Sequence, residues 1–338
     1  MCDDGTKDLP EAAAVGSFFL PPMATYIGLD VSQHVFDAHL PQGVVRYPQT
    51  PAGYAQLLAA LPAEAIVVLE ATGPYGLRLL AALHLAQQAV SVVNPLAVRR
   101  FAQSQLRRTK TDRSDAQLLT AFGSAIKPPL TEAKARDVTQ LQQRQALLEL
   151  LRRQLLALRN HQHALQLSPW PDPVSEAALE EEISQLEKRI QELEQGLDQA
   201  VAARPEAQRL RAIPGLGPRT VAALVLLGPG LGAFASWRQA VAYAGLCPRH
   251  YESGTSVRSR PRLSKLGDGR LRRLLYLGAW SAARFNPACK ALYERLLAKG
   301  KAKQQALCAV AARLLRQAWA LVKLDRKFDP TYHLKPGN

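Results

Sequence analysis

Three separated segments each carry a carboxylate where an apolar run meets a turn. Asp30 lies in YIGLD, Glu70 closes IVVLE ahead of ATGPY, and Asp112 and Asp115 stand together in KTDRSDA. Ionised carboxylates on apolar strands are costly unless something positive pairs them, and a divalent cation is the usual solution. At positions i and i+3, Asp112 and Asp115 share one helix face, so both can point toward a metal held by Asp30 and Glu70. Two Mg²⁺ ions at such a site would activate an attacking oxygen and stabilise a leaving one. Taken singly, each acid has a plainer role: Asp112 and Asp115 complement a helix N-terminus, Glu70 caps the turn after it, and Asp30 accepts backbone hydrogen bonds. Asp37, on the second strand, is the spare acid and a second-choice ligand.

The other candidate chemistry is a serine. Ser253 precedes Gly254 in a stretch carrying Arg249, Arg258, Arg260, Arg262, Lys265, Arg270, Arg272 and Arg273 against only Glu252 and Asp268. A serine alcohol attacks phosphorus only if its proton is taken and the developing phosphorane charge is neutralised; guanidinium groups can supply the second. The alternative is a basic loop that grips phosphates, with Ser253, Ser256 and Ser264 only donating hydrogen bonds. Arg107, Arg108 and Lys110 add cations beside the aspartate pair. In IPGLG (213–217), Gly215 and Gly217 permit a tight turn between helices and let a phosphate approach bare N–H groups, like a helix-hairpin-helix element. A plain helix–helix turn fits the same residues.

Those residues must be held by a scaffold, and its pattern is readable. YIGLDV, VFDAHL and VVRYPQ alternate as three adjacent short strands, a meander. A helix over 51–61, the apolar run 65–71, a helix over 76–88 and the run 90–95 follow, giving the order β-β-β-α-β-α-β-α. This is the order of an RNase H-like domain, in which the first and fourth strands lie side by side; a generic α/β fold gives a similar string. From Val138 to Leu167 the chain is Leu- and Gln-rich with helical periodicity. The prolines of SPWPDP (168–173) interrupt it, and a second helix starts near Ser175. Leu179, Ile183, Leu186, Ile190, Leu193 and Leu197 form a heptad seam, read either as an intramolecular hairpin or as a dimerising or RNA-holding arm. After Pro205 the pattern is helical throughout.

The 338 residues, 47% hydrophobic, suffice for two cores, and 43 Lys and Arg against 28 Asp and Glu leave a net charge of +15. That excess attracts polyanions, with nucleic acid foremost, although a basic enzyme of another kind has the same balance. Cys2, Cys247, Cys289 and Cys308 form no C-x-x-C pair, which points to reduced thiols, a cytoplasmic location and no zinc site. His161 and His163, two apart, fall on different helical faces and make a poor ligand pair. The apolar patch at Phe18 to Leu20 is too short to span a membrane, so residues 1–22 read as a disordered extension, with Met23 as a candidate true start.

Seven ordered blocks carry a family resemblance: YIGLD, LEATGPYG, VVNPLAVRRFAQS, KTDRSDA, IPGLGPRTVAALVLLG, AYAGLCPRHYESGTSVR and LSKLGDGRLRRLLYLGA. Together they resemble the DEDD insertion-sequence transposases, the IS-one-ten group of bridge-RNA-guided recombinases, from about Tyr26 to the C-terminus. The resemblance implies a RuvC-like DEDD domain over 23–135, a helical hairpin or coiled coil over 136–204, a C-terminal serine transposase domain over 205–330 and a tail over 331–338. In such proteins the four acids match Asp30, Glu70, Asp112 and Asp115, and the nucleophile matches Ser253. It further implies Mg²⁺, a covalent phosphoserine link to DNA at a composite site built between subunits, a homo-oligomer (dimer or tetramer), and a structured guide RNA that selects donor and target DNA. A RuvC-like junction nuclease would need the acids but not Ser253, and a catalytically dead nucleic-acid-binding protein would need none of the five.

Overall fold

In the first part of the chain, β-branched and aromatic residues at alternating positions build strands whose two faces feed two separate apolar layers. The computed structural model describes residues 25–71, 73–105, 112–228, 230–249, 252–253, 257–258, 262–264 and 266–331. The chain divides into two compact units, one ending at Ala133 and the other beginning at Lys134. The expected residues 1–22, the side chains of Arg107, Arg108 and Lys110, and the tail after Thr331 lie outside the described residues.

The first unit contains β1 (Thr25–Val31), β2 (Val35–Leu40), β3 (Gly43–Pro48), α1 (Pro51–Ala60), β4 (Ala65–Glu70), α2 (Gly76–Leu85), β5 (Ala89–Val93), α3 (Pro95–Ser104) and α4 (Asp112–Ile126). The sheet order is β3-β2-β1-β4-β5, an antiparallel meander joined to parallel strands through β1 and β4. Ile27, Leu29, Phe36, Val67 and Leu69 face a layer with Leu57, Leu79 and Leu83 of α1 and α2. Tyr26, Ile66, Val68 and Val93 face the opposite layer with Val98 of α3 and Leu118, Leu119 and Phe122 of α4. Thr50 and Asn94 cap α1 and α3 with their side chains, each ahead of a proline at the helix start.

The approach of α4 to the sheet depends on glycine. A Cβ on Gly28 would stand 2.2 Å from the Ala116 carbonyl oxygen and 2.5 Å from the Thr120 nitrogen, and one on Gly123 would stand 2.7 Å from the Tyr26 ring. The Gly28 N–H donates to Thr120 Oγ1 at 2.8 Å. Matching Gly28 to Ala116 and Thr120, and Tyr26 to Gly123, makes α4 run antiparallel to β1.

The second unit is helical with one β excursion: α5 (Arg136–Gln166), α6 (Pro173–Ala202), α7 (Pro205–Arg211), α8 (Pro218–Val225), α9 (Trp237–Tyr243), α10 (Gly269–Phe285), α11 (Pro287–Ala298) and α12 (Lys303–Lys323). Of the prolines expected to stop the helix, Pro173 instead starts α6, where its missing N–H costs nothing behind the Asp172 cap. The segment read as purely helical carries β6 (Pro248–Arg249), β7 (Glu252–Ser253), β8 (Val257–Arg258) and β9 (Arg262–Leu263), with β6 on β9 and β7 on β8. Two-residue strands among arginines leave no alternation for the sequence to display.

The heptad seam is covered within the chain. Ile183, Ile190 and Leu197 are buried and Leu186 and Leu193 half-buried; Ile190, Leu197, Leu186 and Leu193 share one core with Leu141, Leu148 and Leu151 of α5. Arg152 pairs with Glu149 one turn earlier on α5 at 2.9 Å, and the Arg152–Glu194 and Arg159–Glu187 pairs lace the two arms. Of the two readings of this seam, the intramolecular hairpin is the one found. Leu193→Lys is therefore expected to lower stability by about 2 kcal/mol in urea unfolding, since a seam charge must be desolvated. Light scattering should show an unchanged mass; a fall in mass with unaltered stability would assign the seam to a contact between chains.

Candidate active site

Strand register sets a row of polar residues across the sheet. Asp37 on β2 is opposite Asp30 on β1 and opposite Arg46 on β3. Asp30 and Glu70 each follow the parallel pair Leu29↔Leu69 by one residue, and Glu70 is opposite Val93. Cross-strand partners share a face, so Arg46, Asp37, Asp30 and Glu70 all stand on the α4 side of the sheet. The carboxyl ends of parallel β1 and β4, where open α/β sheets gather their ligands, thus present two adjacent acids.

The backbone of α4 carries the positions of the other two toward that end of the sheet. The inward stripe of α4 runs through Gly123, Thr120, Leu119 and Ala116. One turn further toward its N-terminus, the same stripe passes Asp115 and Asp112. Because α4 runs antiparallel to β1, that turn overlies the end of β1 that carries Asp30. Asp115 is half-buried; the Asp112 side chain lies outside the described residues. Among the described side chains, which do not include that of Asp112, no group of three or more His, Cys, Asp or Glu is close enough to hold a metal ion. The donor chemistry, carboxylate oxygens alone, suits a hard divalent cation such as Mg²⁺.

Asp37, the spare acid, is accounted for without a metal. It is 3% exposed, and its two oxygens accept from Arg46 Nε at 2.8 Å and Nη2 at 2.7 Å. A buried carboxylate held this way tolerates loss of its partner poorly. Arg46, His39 and Thr120 were not singled out from the sequence; His39 Nδ1 sits 3.0 Å from Thr120 Oγ1. Only strand register reveals that these groups share the face of the acids.

Ser253 closes β7, paired with Val257, immediately before the connection 254–256, which lies outside the described residues. Among its described residues, the stretch read as a loop thus carries two short antiparallel pairings, β6 with β9 and the ribbon of β7 with β8, and Ser253 is the last paired residue of β7. The side chains of Ser253, Arg249, Arg258 and Arg262, and Arg260 and Lys265 altogether, lie outside the described residues. Arg272 reaches the Ala244 carbonyl at 3.4 Å, and Arg273 is ion-paired with Glu149 at 3.2 Å. Asp268 accepts from the Arg270 and Leu271 N–H groups, capping α10.

The IPGLG turn joins α7 to α8. Gly215, at φ +104°, presses against α10: its Cβ would meet Ala282 Cβ at 2.6 Å, and a Cβ on Gly278 would meet the Gly215 oxygen at 2.3 Å. Packing accounts for Gly215. Gly217 precedes the first turn of α8 with open space around it.

Two family models match the chain: the IS110 DEDD transposase over residues 27–167 and the IS116/IS110/IS902 transposase family over residues 207–294. The pilin gene-inverting proteins of Moraxella lacunata and Moraxella bovis are each 31% identical over 326 residues, covering 91% of this chain and 99% of theirs. The transposase for insertion sequence IS1328 of Yersinia enterocolitica is 26% identical over 75% of this chain and 82% of its own. With both matched segments in order and near-complete coverage by 31%-identical relatives, this chain belongs to the IS116/IS110/IS902 family and is a DNA transposase/recombinase.

Proposed function

We propose that the chain cuts and rejoins the DNA of an insertion sequence with Asp30, Glu70, Asp112 and Asp115 as ligands for Mg²⁺ and Ser253 as nucleophile. In this reading residues 23–135 form an RNase H-like (RuvC-like) domain, 136–204 its helical hairpin and 205–330 the serine transposase domain. The observation that carries it is the adjacency of Asp30 and Glu70 at the carboxyl ends of paired parallel strands, beneath the turn of α4 that holds the aspartate pair. Bound there, such cations would neutralise phosphate charge and polarise the reacting oxygens. The protein's own part is to fix those carboxylates on a sheet and a helix locked together by Gly28 and Gly123.

Ser253 Oγ attacks phosphorus, forming the serine–phosphorus bond as a phosphorus–deoxyribose oxygen bond breaks. The serine proton passes to a base and the leaving oxygen takes one up. Attack by a second deoxyribose hydroxyl reverses the link and joins a new strand. A structured guide RNA selecting donor and target DNA, and a homo-oligomer, complete the proposal; the +15 net charge supports two nucleic-acid partners.

The experiment is to incubate labelled DNA carrying the element's ends with the protein and the RNA that co-purifies with it, then map any covalent adduct by mass spectrometry. The adduct is expected at Ser253 and lost in Ser253→Ala with DNA binding retained. An adduct that persists in Ser253→Ala, or cleavage without one, would return the ribbon to phosphate gripping and favour a junction nuclease.

A further inference from the structure

Within the second unit, a cavity of about 250 Å³ opens beside α12, against Trp237 at the start of α9 and the segment that follows α12. Trp237 and Phe328 supply aromatic wall, and Arg313, Arg316, Arg326 and Lys327 supply four cations. Among the described residues none of the four is ion-paired. The one carboxylate in the lining, Asp329, accepts from the Thr331 N–H and hydroxyl at 2.8 and 2.7 Å. An ion pair between Arg209 and Asp325 pins the following segment in place. The guanidinium carbons of Arg238 and Arg316 stand 4.8 and 5.0 Å from the Trp237 ring centroid.

Four like charges around a partly apolar chamber repel one another, and one of them, Arg313, is half-buried and loses hydration. Arg313 shows the strain: burial first, then repulsion from Arg316, lowers its pKa from the ordinary value. An anion would relieve both costs, and the rings favour one attached to a flat π system. The volume lies below the ~300 Å³ at which sites for drug-sized ligands begin, so a single ring system fits and a dinucleotide cofactor does not. Unpaired bases are commonly held by aromatic rings and arginine planes beside a cationic track for the backbone.

We propose that this cavity takes one unpaired nucleotide of a nucleic-acid strand, its base against Trp237 and Phe328 and its phosphate facing Arg316, Arg326 and Lys327. It rests on the reading of the chain as an enzyme of nucleic-acid strands, yet requires neither the four acids nor Ser253. Opened duplex DNA and a folded RNA both offer such a nucleotide, and the chemistry is the same.

The test uses the full chain with short single strands carrying iodouracil, one set DNA and one RNA, cross-linked by light and mapped by mass spectrometry. Cross-links are expected on the peptides holding Trp237 or Phe328. Their yield should fall at least about fivefold in the triple variant Arg316→Ala, Arg326→Ala, Lys327→Ala, because all three side chains are exposed and each removes a phosphate contact without touching the core. Cross-linking by one set names the strand; cross-linking by both makes the cavity indifferent to the sugar. Links found only elsewhere, or undiminished in a triple variant whose circular dichroism matches the parent, would overturn the proposal. Ser253→Ala should keep these cross-links, so failure at this cavity and failure of the serine mechanism give different results.

Discussion

Mg²⁺-dependent strand cleavage is expected to fall roughly a thousandfold when Asp30 or Asp115 becomes Asn or Glu70 becomes Gln, while DNA binding stays within about threefold. The size follows from what the carboxylates do. In the proposed site several kcal/mol of transition-state stabilisation would depend on a bound cation, and each 1.36 kcal/mol lost is a factor of ten in rate. Asn keeps the shape of Asp and Gln that of Glu, so Asp30→Asn, Glu70→Gln and Asp115→Asn remove charge with little change of volume. Binding survives because it is carried by cations elsewhere on a chain of +15 net charge. Cleavage time courses over a Mg²⁺ titration make the measurement, with binding by fluorescence anisotropy in parallel. Near-parental cleavage by any two of the three variants would dissolve the shared site.

Gly28→Val is expected to destabilise the first unit by at least about 3 kcal/mol, lowering its melting midpoint by roughly 10 °C. The added Cβ would lie 2.2 and 2.5 Å from backbone atoms of α4, which cannot rotate aside as a side chain would. The helix must lift from β1, and the Gly28 N–H then loses Thr120 Oγ1. Because α4 also carries the aspartate pair, cleavage should fall with stability. Gly76→Ala is the control: nothing lies within 4 Å of that position at the start of α2, so its midpoint should hold or rise slightly. Calorimetry of the two variants decides; a Gly28→Val midpoint within 2 °C or so of the parent would disprove the close approach.

What the sequence disclosed, and what it withheld, follows the range of the forces involved. The order β-β-β-α-β-α-β-α was legible because period-two alternation is local. Asp30 and Glu70 stood out because a charge closing an apolar run is conspicuous in one dimension. Arg46 did not, since its meaning lies in register: it matters only once β3 pairs with β2 and brings it to Asp37. Gly215 reads from the sequence as a turn open to phosphate; its packing against Gly278 is not legible there, since that residue belongs to a helix far along the chain. The ribbon around Ser253 escaped notice for a different reason, since paired segments of two residues carry no periodic signal.

The hairpin of α5 and α6 has a mechanical consequence. Its connections to the rest of its unit cluster near one end. Gln142 donates to the Leu226 carbonyl at 2.7 Å, Arg270 to Gln145 at 2.9 Å, and Arg219 pairs with Glu194 at 2.7 Å. Beyond Arg152 the described ion pair of α5, Arg159 with Glu187, joins it only to α6. Residues 153–166 span about 21 Å at 1.5 Å per residue, and exposed Leu167, Trp170 and Val174 stand at their far end. The arrangement is a cantilever clamped at its root. A load on Trp170 is delivered as torque at Gln142, Gln145 and Glu194, the clamp that also holds the start of α8 and the first turn of α10.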